Sequence, residues 1–190
     1  MSKTTIPTAG LADSAVSTAK IADDAVTTAK TSGVGIIMVD QWRLTSSLTG
    51  SGTLTNMERV DTRGFSSALG TGMSHSSGVF TFPSTGFYYV QAHFKYDEEG
   101  DGNDNEINGL IEYSSDGGSS YDVSAYVTGM TFSSPSNSTT LHTGDFIFDI
   151  TNTSNDRVRF RVSSQAGSNR TIGNTDSNET WVSFIRLGDT

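Results

Sequence analysis

Hydrophobic and polar residues alternate with a period of two through much of the chain, most cleanly over residues 87–96. Tyr88, Val90, Ala92, Phe94 and Tyr96 fall on one side, and Phe87, Tyr89, Gln91, His93 and Lys95 on the other. A strand with one apolar side lies in a sheet that packs that side on a core and turns the other outward. Just upstream, Phe80 and Phe82 alternate out of a shorter strand. Pro83 ends it, having no N–H for a ladder, and Gly86 turns the chain into the next strand.

The same period predicts a first strand over 36–44, with Trp42 and Leu44 on one face and Gln41 and Arg43 on the other. Strands at 107–113 and 121–130 flank a turn carrying Asp116-Gly117-Gly118, a hairpin signal. Strands at 146–151 and 157–162 are expected to pair across the turn 152–156. In the second of these Val158, Phe160 and Val162 face in, and Arg157, Arg159 and Arg161 face out. Three arginines on one strand face make either a solvated edge that discourages aggregation or a basic stripe that meets an acidic neighbour. The strand 181–187 is apolar on both faces: Trp181, Ile185 and Leu187 on one, Val182 and Phe184 on the other. That pattern suits a strand lying between a core and an interface. Many short strands joined by polar turns predict an all-β, antiparallel sandwich.

Composition sharpens this. Hydrophobic residues make up only 34% of the 190, with 20 glycines, which predicts a thin core that oligomerisation completes. Cysteine is absent, so disulfides, Cys-ligated zinc and thiol nucleophiles are excluded. No apolar run marks a signal peptide or approaches the ~20 residues of a membrane span, so the expectation is a chain made in a cytoplasm, without membrane insertion. Four Asn-x-Ser/Thr matches (Asn137, Asn152, Asn169, Asn178) are then expected by chance. The net charge of −9 resides beyond residue 32, because three lysines and three aspartates cancel before it. An acidic body of this kind disfavours nucleic-acid binding.

Residues 1–33 are a separate organisational unit, ended by the flexible Thr31-Ser32-Gly33, with the main domain over 34–190. Two decads, residues 11–20 and 21–30, match at the apolar position, at Ala-Asp, at Ala-Val and at Thr-Ala-Lys. Leu11, Val16, Ile21 and Val26 recur every five positions, a period of neither helix nor strand. Copies sharing one axis would bury such a stripe; a helix and a flexible leader remain the alternatives. The decad resembles the "I-A-D-x-A-V-T-T-A-K" arrays of tailed-bacteriophage structural proteins.

Among chemistry-bearing motifs, Asp97, Glu99, Asp101 and Asp104 lie on a Gly/Asn-rich acidic segment, 97–106. Hard oxygen ligands on such a segment suit calcium, although the register is not that of an EF-hand; the alternative is a solvated acidic turn. Residues 114–121 fit "S-x-D-x-G-x-x-[aromatic]", read as a turn. His75, His93 and His142 lack metal-pair spacing, and no nucleophile elbow, phosphate loop or dinucleotide fingerprint occurs. No enzyme is expected.

Residues 78–88, as "G-x-F-T-F-P-x-x-G-x-Y", resemble the central signature of complement globular-head and tumour-necrosis-factor-like jelly rolls. The stretch 142–150 resembles that family's "L-x-x-G-D-x-V-x-V" strand, and 181–188 its closing strand. Residues 40–44, 57–61 and 70–73 resemble the leading half of complement-head-like domains of marine phages. The resemblance implies a jelly-roll sandwich assembling as a tight homotrimer. Phe87, Tyr89, Val182 and Phe184 are its expected interface residues in the domain, joined by the apolar decad positions. The resulting expectation is a non-enzymatic virion protein, a capsid decoration or fibre element anchored by its N-terminus to other virion proteins. The rival readings are a receptor-binding adhesin for host polysaccharide or protein, with loops 97–106, 131–140 and 165–178 as its distal surface, and a bacterial protein of no viral origin.

Overall fold

The computed structural model describes residues 35–97, 105–131 and 139–190. All regular structure among them is β. Gly35–Thr190 form one compact unit. Residues 1–34, and with them Leu11, Val16, Ile21 and Val26, lie outside the described residues, as do Glu99, Asp101 and Asp104.

Thirteen strands are described: β1 (Met38–Leu44), β2 (Leu48–Thr49), β3 (Gly52–Thr53), β4 (Met57–Arg59), β5 (Ser74–Ser76), β6 (Val79–Thr81), β7 (Gly86–Asp97), β8 (Asn105–Ser114), β9 (Asp122–Thr131), β10 (Thr139–Ile150), β11 (Arg157–Ser164), β12 (Arg170–Thr171) and β13 (Trp181–Gly188). They form two antiparallel sheets. A seven-stranded sheet runs β2-β12-β7-β13-β1-β4, with β10 on the other side of β7. A six-stranded sheet runs β5-β6-β11-β8-β9, with β3 also on β11.

The core lies between the sheets, where period two puts it. Tyr88, Val90, Ala92, Phe94 and Tyr96 of β7 are wholly buried, facing Phe80, Ile107, Ile111, Val158, Phe160 and Val162 of the other sheet. Each such aromatic or branched side chain contributes roughly 1.5–3 kcal/mol by leaving water. Phe80 sits at the centre, with ring centroids 5.2–5.6 Å from those of Trp42, Phe160 and Phe184. The β5–β6 hairpin closes on Ser77 (φ 50°) and Gly78 (φ 86°), two positive φ values in succession, as a two-residue hairpin turn requires. Gly109 permits a close approach of the two sheets: a Cβ there would stand 2.5 Å from the Phe94 ring.

Three expectations are corrected. β1 begins at Met38 rather than 36, leaving Ile36 and Ile37 exposed ahead of it. β10 and β11 do not pair. β10 bonds to β7 and β11 to β8, so the chain crosses between sheets at 152–156. Asp156 holds that crossing by accepting from the Thr151 and Asn152 N–H groups (3.0 and 2.8 Å) and from the Tyr113 hydroxyl (2.7 Å). Val182 and Phe184 are not available to an interface. Their register opposite Ala92 and Val90 turns both into the core, where they are buried.

Candidate functional site

The three leading segments, 40–44, 57–61 and 70–73, meet at one buried carboxylate. Asp40 is wholly inaccessible. Its Oδ1 accepts from the Gln41 N–H (2.9 Å) and Arg59 Nε (2.9 Å). Its Oδ2 accepts from Trp42 Nε1 (2.9 Å), Arg59 Nη2 (3.1 Å) and the Met73 N–H (2.8 Å). The Arg59 guanidinium also lies 4.8 Å from the centroid of the Trp42 ring. A carboxylate so enclosed is stable only when its hydrogen bonds are met, and here they are, with Arg59 reaching it from a side chain 38% exposed. Alternation in β1 sends Arg43 to the opposite face. Its side chain is only 2% exposed, and it donates to Glu58 (2.8 Å), Thr62 (2.8 Å) and Asp61 (2.9 Å). These two centres lock β1, β4 and the 60–73 segment together.

Opposed residues of antiparallel strands share a face, so the register defines the outer face of the seven-stranded sheet. Ile147 stands opposite Tyr89, Tyr89 opposite Ile185, Ile185 opposite Val39, and Val39 bridges to Leu69. This is an apolar row across four strands, with Ile147 54% and Leu69 52% exposed. Phe87 and Leu187 extend it at one end. Toward the other end the face turns polar, through Asp145, Gln91, Ser183 and Gln41, then Thr143, His93, Trp181 and Arg43. His93 stacks on Trp181 (centroids 3.9 Å apart) between Gln91 (3.1 Å) and Thr143 (2.8 Å). Burial lowers its pKa below the ordinary histidine value. Lys95 pairs with Glu179 beside it. The 58–65 and 176–178 segments cover the Gln41–Arg43 end of this face, whereas Ile147 and Leu69 at the two ends of the apolar row stay exposed.

The outer face of the six-stranded sheet is built differently. β11 is an interior strand, which overturns the solvated-edge reading of its arginines. Arg159 pairs with the nearly buried Glu112 at 2.5 Å, and its guanidinium lies 3.8 Å from the centroid of the Tyr121 ring. Arg161 reaches the same carboxylate at 3.9 Å. Arg157 spends its donors on the carbonyls of Thr153, Ser154 and Asp156.

β9 and β10, each the last strand of its sheet, lie side by side in a seam. Thr140 Oγ1 donates to the Met130 carbonyl across it (3.2 Å). Gly144 makes that approach possible, since a Cβ there would sit 2.3 Å from Val127 Cγ2. Exposed apolar residues flank the seam on different faces: Leu141, opposite Lys95, lies on the outer face of the seven-stranded sheet, and Tyr126 and Met130, opposite Leu110 and Glu106, lie on that of the six-stranded sheet, Tyr126 the most exposed at 68%.

Of the expected site residues, Phe87 and Tyr89 stand on the open face. Asp97, the one expected calcium ligand among the described residues, binds Arg170 at 2.6 Å through Oδ2, while its Oδ1 is buried without a partner. The described residues contain no group of three or more His, Asp or Glu able to hold a metal ion. The three histidines are scattered: His75 against Trp42 and Phe80, His93 on the open face, and His142 beside Tyr96 at the seam. Asp116 organises its own turn, taking N–H groups of Ser119 and Ser120 and hydroxyls of Ser114 and Ser120. Those bonds, the Ser120 hydroxyl foremost, hold its carboxyl well below the usual range. The Asp40 centre escaped the sequence reading; its signal was an Asp two positions from Trp42 on an inward strand face, with Arg59 as the matching cation.

The architecture is that of a tumour-necrosis-factor-like jelly roll. A solved structure of Eiger TNF from S. frugiperda superposes with a TM-score of 0.61 at 12% identity, covering 82% of this chain and 94% of that one. Murine APRIL superposes with a TM-score of 0.56 at 11% identity, covering 79% and 98%. No protein-family model matches the sequence, and no curated protein matches it. At these identities the likeness defines the fold.

Proposed function

We propose that this chain is a non-enzymatic structural head that works as a homotrimer on a virus particle, as a decoration or fibre element. The observation that carries the reading is the apolar row from Ile147 to Leu69 on the outer face of the seven-stranded sheet, exposed at both ends and half-buried at Tyr89, Ile185 and Val39. An apolar row of this kind, rimmed by polar residues, marks an interaction surface. Exposed Tyr126 and Met130 of β9, on the outer face of the other sheet, supply a second and different apolar surface. Two unlike patches on one protomer make a heterologous contact, which forms a closed ring when the rotation closes. The family resemblance of the sequence makes that ring three-fold. The virion assignment is supported by the decad repeat of residues 11–30.

Light scattering on the full chain at micromolar concentration tests the assembly. The expected mass is three times 20.2 kDa, and a folded 20.2 kDa species would overturn the reading. Immunogold labelling of purified particles tests the location. Regular labelling on capsid or tail is expected, and its absence from every particle component would remove the virion assignment while leaving the trimer intact.

A further inference from the structure

We infer that the cleft between β1 and the 60–65 and 176–178 segments is a saccharide site sized for one neutral pyranose ring. Its volume is about 260 Å³, below the roughly 300–1,000 Å³ of pockets that hold drug-sized ligands. Its walls are mostly apolar, with Val60 and the half-buried Phe65 facing a set of planar polar side chains: Gln41, Arg43, Arg63, Asp176 and Asn178.

Both rims are fixed in advance. The Val60 N–H donates to the Gln41 carbonyl (2.9 Å), and the Asn174 N–H donates to the Leu44 carbonyl (2.7 Å). Asn174 Oδ1 takes the N–H groups of Asp176 (2.7 Å) and Ser177 (3.2 Å), shaping the second rim. Arg63, held at φ 61°, ties the rims together by donating Nε to the Asp176 carbonyl (3.2 Å). Pre-set walls reduce the ordering cost of binding.

The unspent groups define the ligand. A guanidinium has five N–H donors; Arg43 uses three on Glu58, Asp61 and Thr62, so two remain. The Nη groups of Arg63 and the carboxylate of Asp176 have no partner among the described residues. Asn178 donates to Gln41 Oε1 (2.9 Å), and Gln41 Nε2 to Ser183 (3.1 Å), which orients the amides and leaves Asn178 Oδ1 open. Donors and acceptors are thus both unsatisfied around one small apolar-walled space. Hydroxyl groups, which donate and accept at once, match that set, and the C–H face of a sugar ring matches Phe65 and Val60. Two arginines stand against three carboxylates, Glu58, Asp61 and Asp176, so an anionic ligand is disfavoured. The cleft opens in the polar part of the outer face, away from the apolar row. It therefore rests on no subunit contact, and its failure would leave the trimer reading standing.

Saturation-transfer NMR on the full chain tests this with methyl pyranosides of glucose, galactose, mannose, N-acetylglucosamine and rhamnose at 10 mM, and with sialic acid as the anionic comparison. At least one neutral pyranoside should receive saturation. The transfer should fall at least fivefold in Phe65→Ala and in Asp176→Asn and stay unchanged in Arg161→Gln on the opposite sheet. Asp176→Asn removes no contact of the fold, so it decides the matter even where Phe65→Ala unfolds. No transfer to any neutral pyranoside, transfer to sialic acid alone, or transfer that survives Asp176→Asn would overturn the inference.

Discussion

The two outward faces of this sandwich solve the same problem in opposite ways. On the six-stranded sheet the outward positions of β11 carry Arg157, Arg159 and Arg161, and their charge is met locally by Glu112, by Tyr121 and by backbone carbonyls. On the seven-stranded sheet the corresponding positions carry Ile147, Tyr89, Ile185 and Val39, apolar side chains of which Ile147 is exposed and the others half-buried. On the first face the β11 charges are met within one copy. On the second, an apolar row is left open at its ends within one copy, and the proposed surface of assembly rests on that difference between the faces rather than on the fold.

The sharpest way to break this comparison is to place a charge in the apolar row. Tyr89→Asp and Ile185→Asp should each convert the trimer to monomer at micromolar concentration, read as a threefold fall in mass by light scattering. Losing an anchor of this kind costs about 2 kcal/mol or more per interface, and a closed ring counts that loss three times. Arg161→Asp, at an equally outward position of the other sheet, should leave the mass unchanged. Equal dissociation by all three substitutions would show that the faces do not differ in this respect.

A smaller effect separates the two carboxylates that gather arginines. Asp40→Ala leaves the Trp42 indole N–H and the Met73 N–H without their acceptor and frees Arg59, whose side chain is 38% exposed, and should lower stability by about 2–4 kcal/mol through the unmet buried donors. Glu112→Gln leaves Arg159 and Arg161 without a counter-charge but near solvent, and should lower it by about 1–3 kcal/mol. Urea unfolding of the two variants at fixed protein concentration reads the ranking. A Glu112→Gln variant less stable than Asp40→Ala would mean that the outer ladder, not the inner hub, holds the sandwich.

Much of the fold was legible because burial writes itself into a period of two. The inward residues of β7 and the hairpin of β8 and β9 follow from alternation and from the Asp-Gly-Gly turn. Pairing between distant strands was less legible. The 152–156 turn looks like a hairpin in sequence, yet Asp156 bends it into a crossing between sheets, and a side chain bonding to the N–H groups of 151 and 152 leaves no periodic trace. For β13, apolar residues on both faces announced two packed sides without saying which was which. Only the register opposite Val90 and Ala92 assigns Phe184 and Val182 to the core. The Asp40 hub and the cleft beside Arg43 join residues up to 137 positions apart in sequence, which no local pattern encodes.

The least of the expected effects uses pH to read both sheets at once. Burial lowers the pKa of His75 and of His93 below the ordinary value of 6.5. Both are therefore neutral when folded at pH 7, and each contributes stability that is complete above pH 6.5 and is lost as the pH falls through the depressed folded value. His75 has a specific reason to resist a proton: its Nε2 accepts the Gly78 N–H at 3.0 Å, closing the β5–β6 turn between the rings of Trp42 and Phe80. His93 resists through burial, packed flat against Trp181. The melting temperature should fall by a few degrees between pH 7.5 and pH 5.0. His75→Gln should flatten part of that fall without changing the oligomer. His93→Gln should flatten the part that accompanies any loosening of the trimer, because only His93 stands on the open face. A fall in melting temperature that both variants leave untouched would trace the acid sensitivity to carboxylates, and would remove histidine from the account of how the two faces differ.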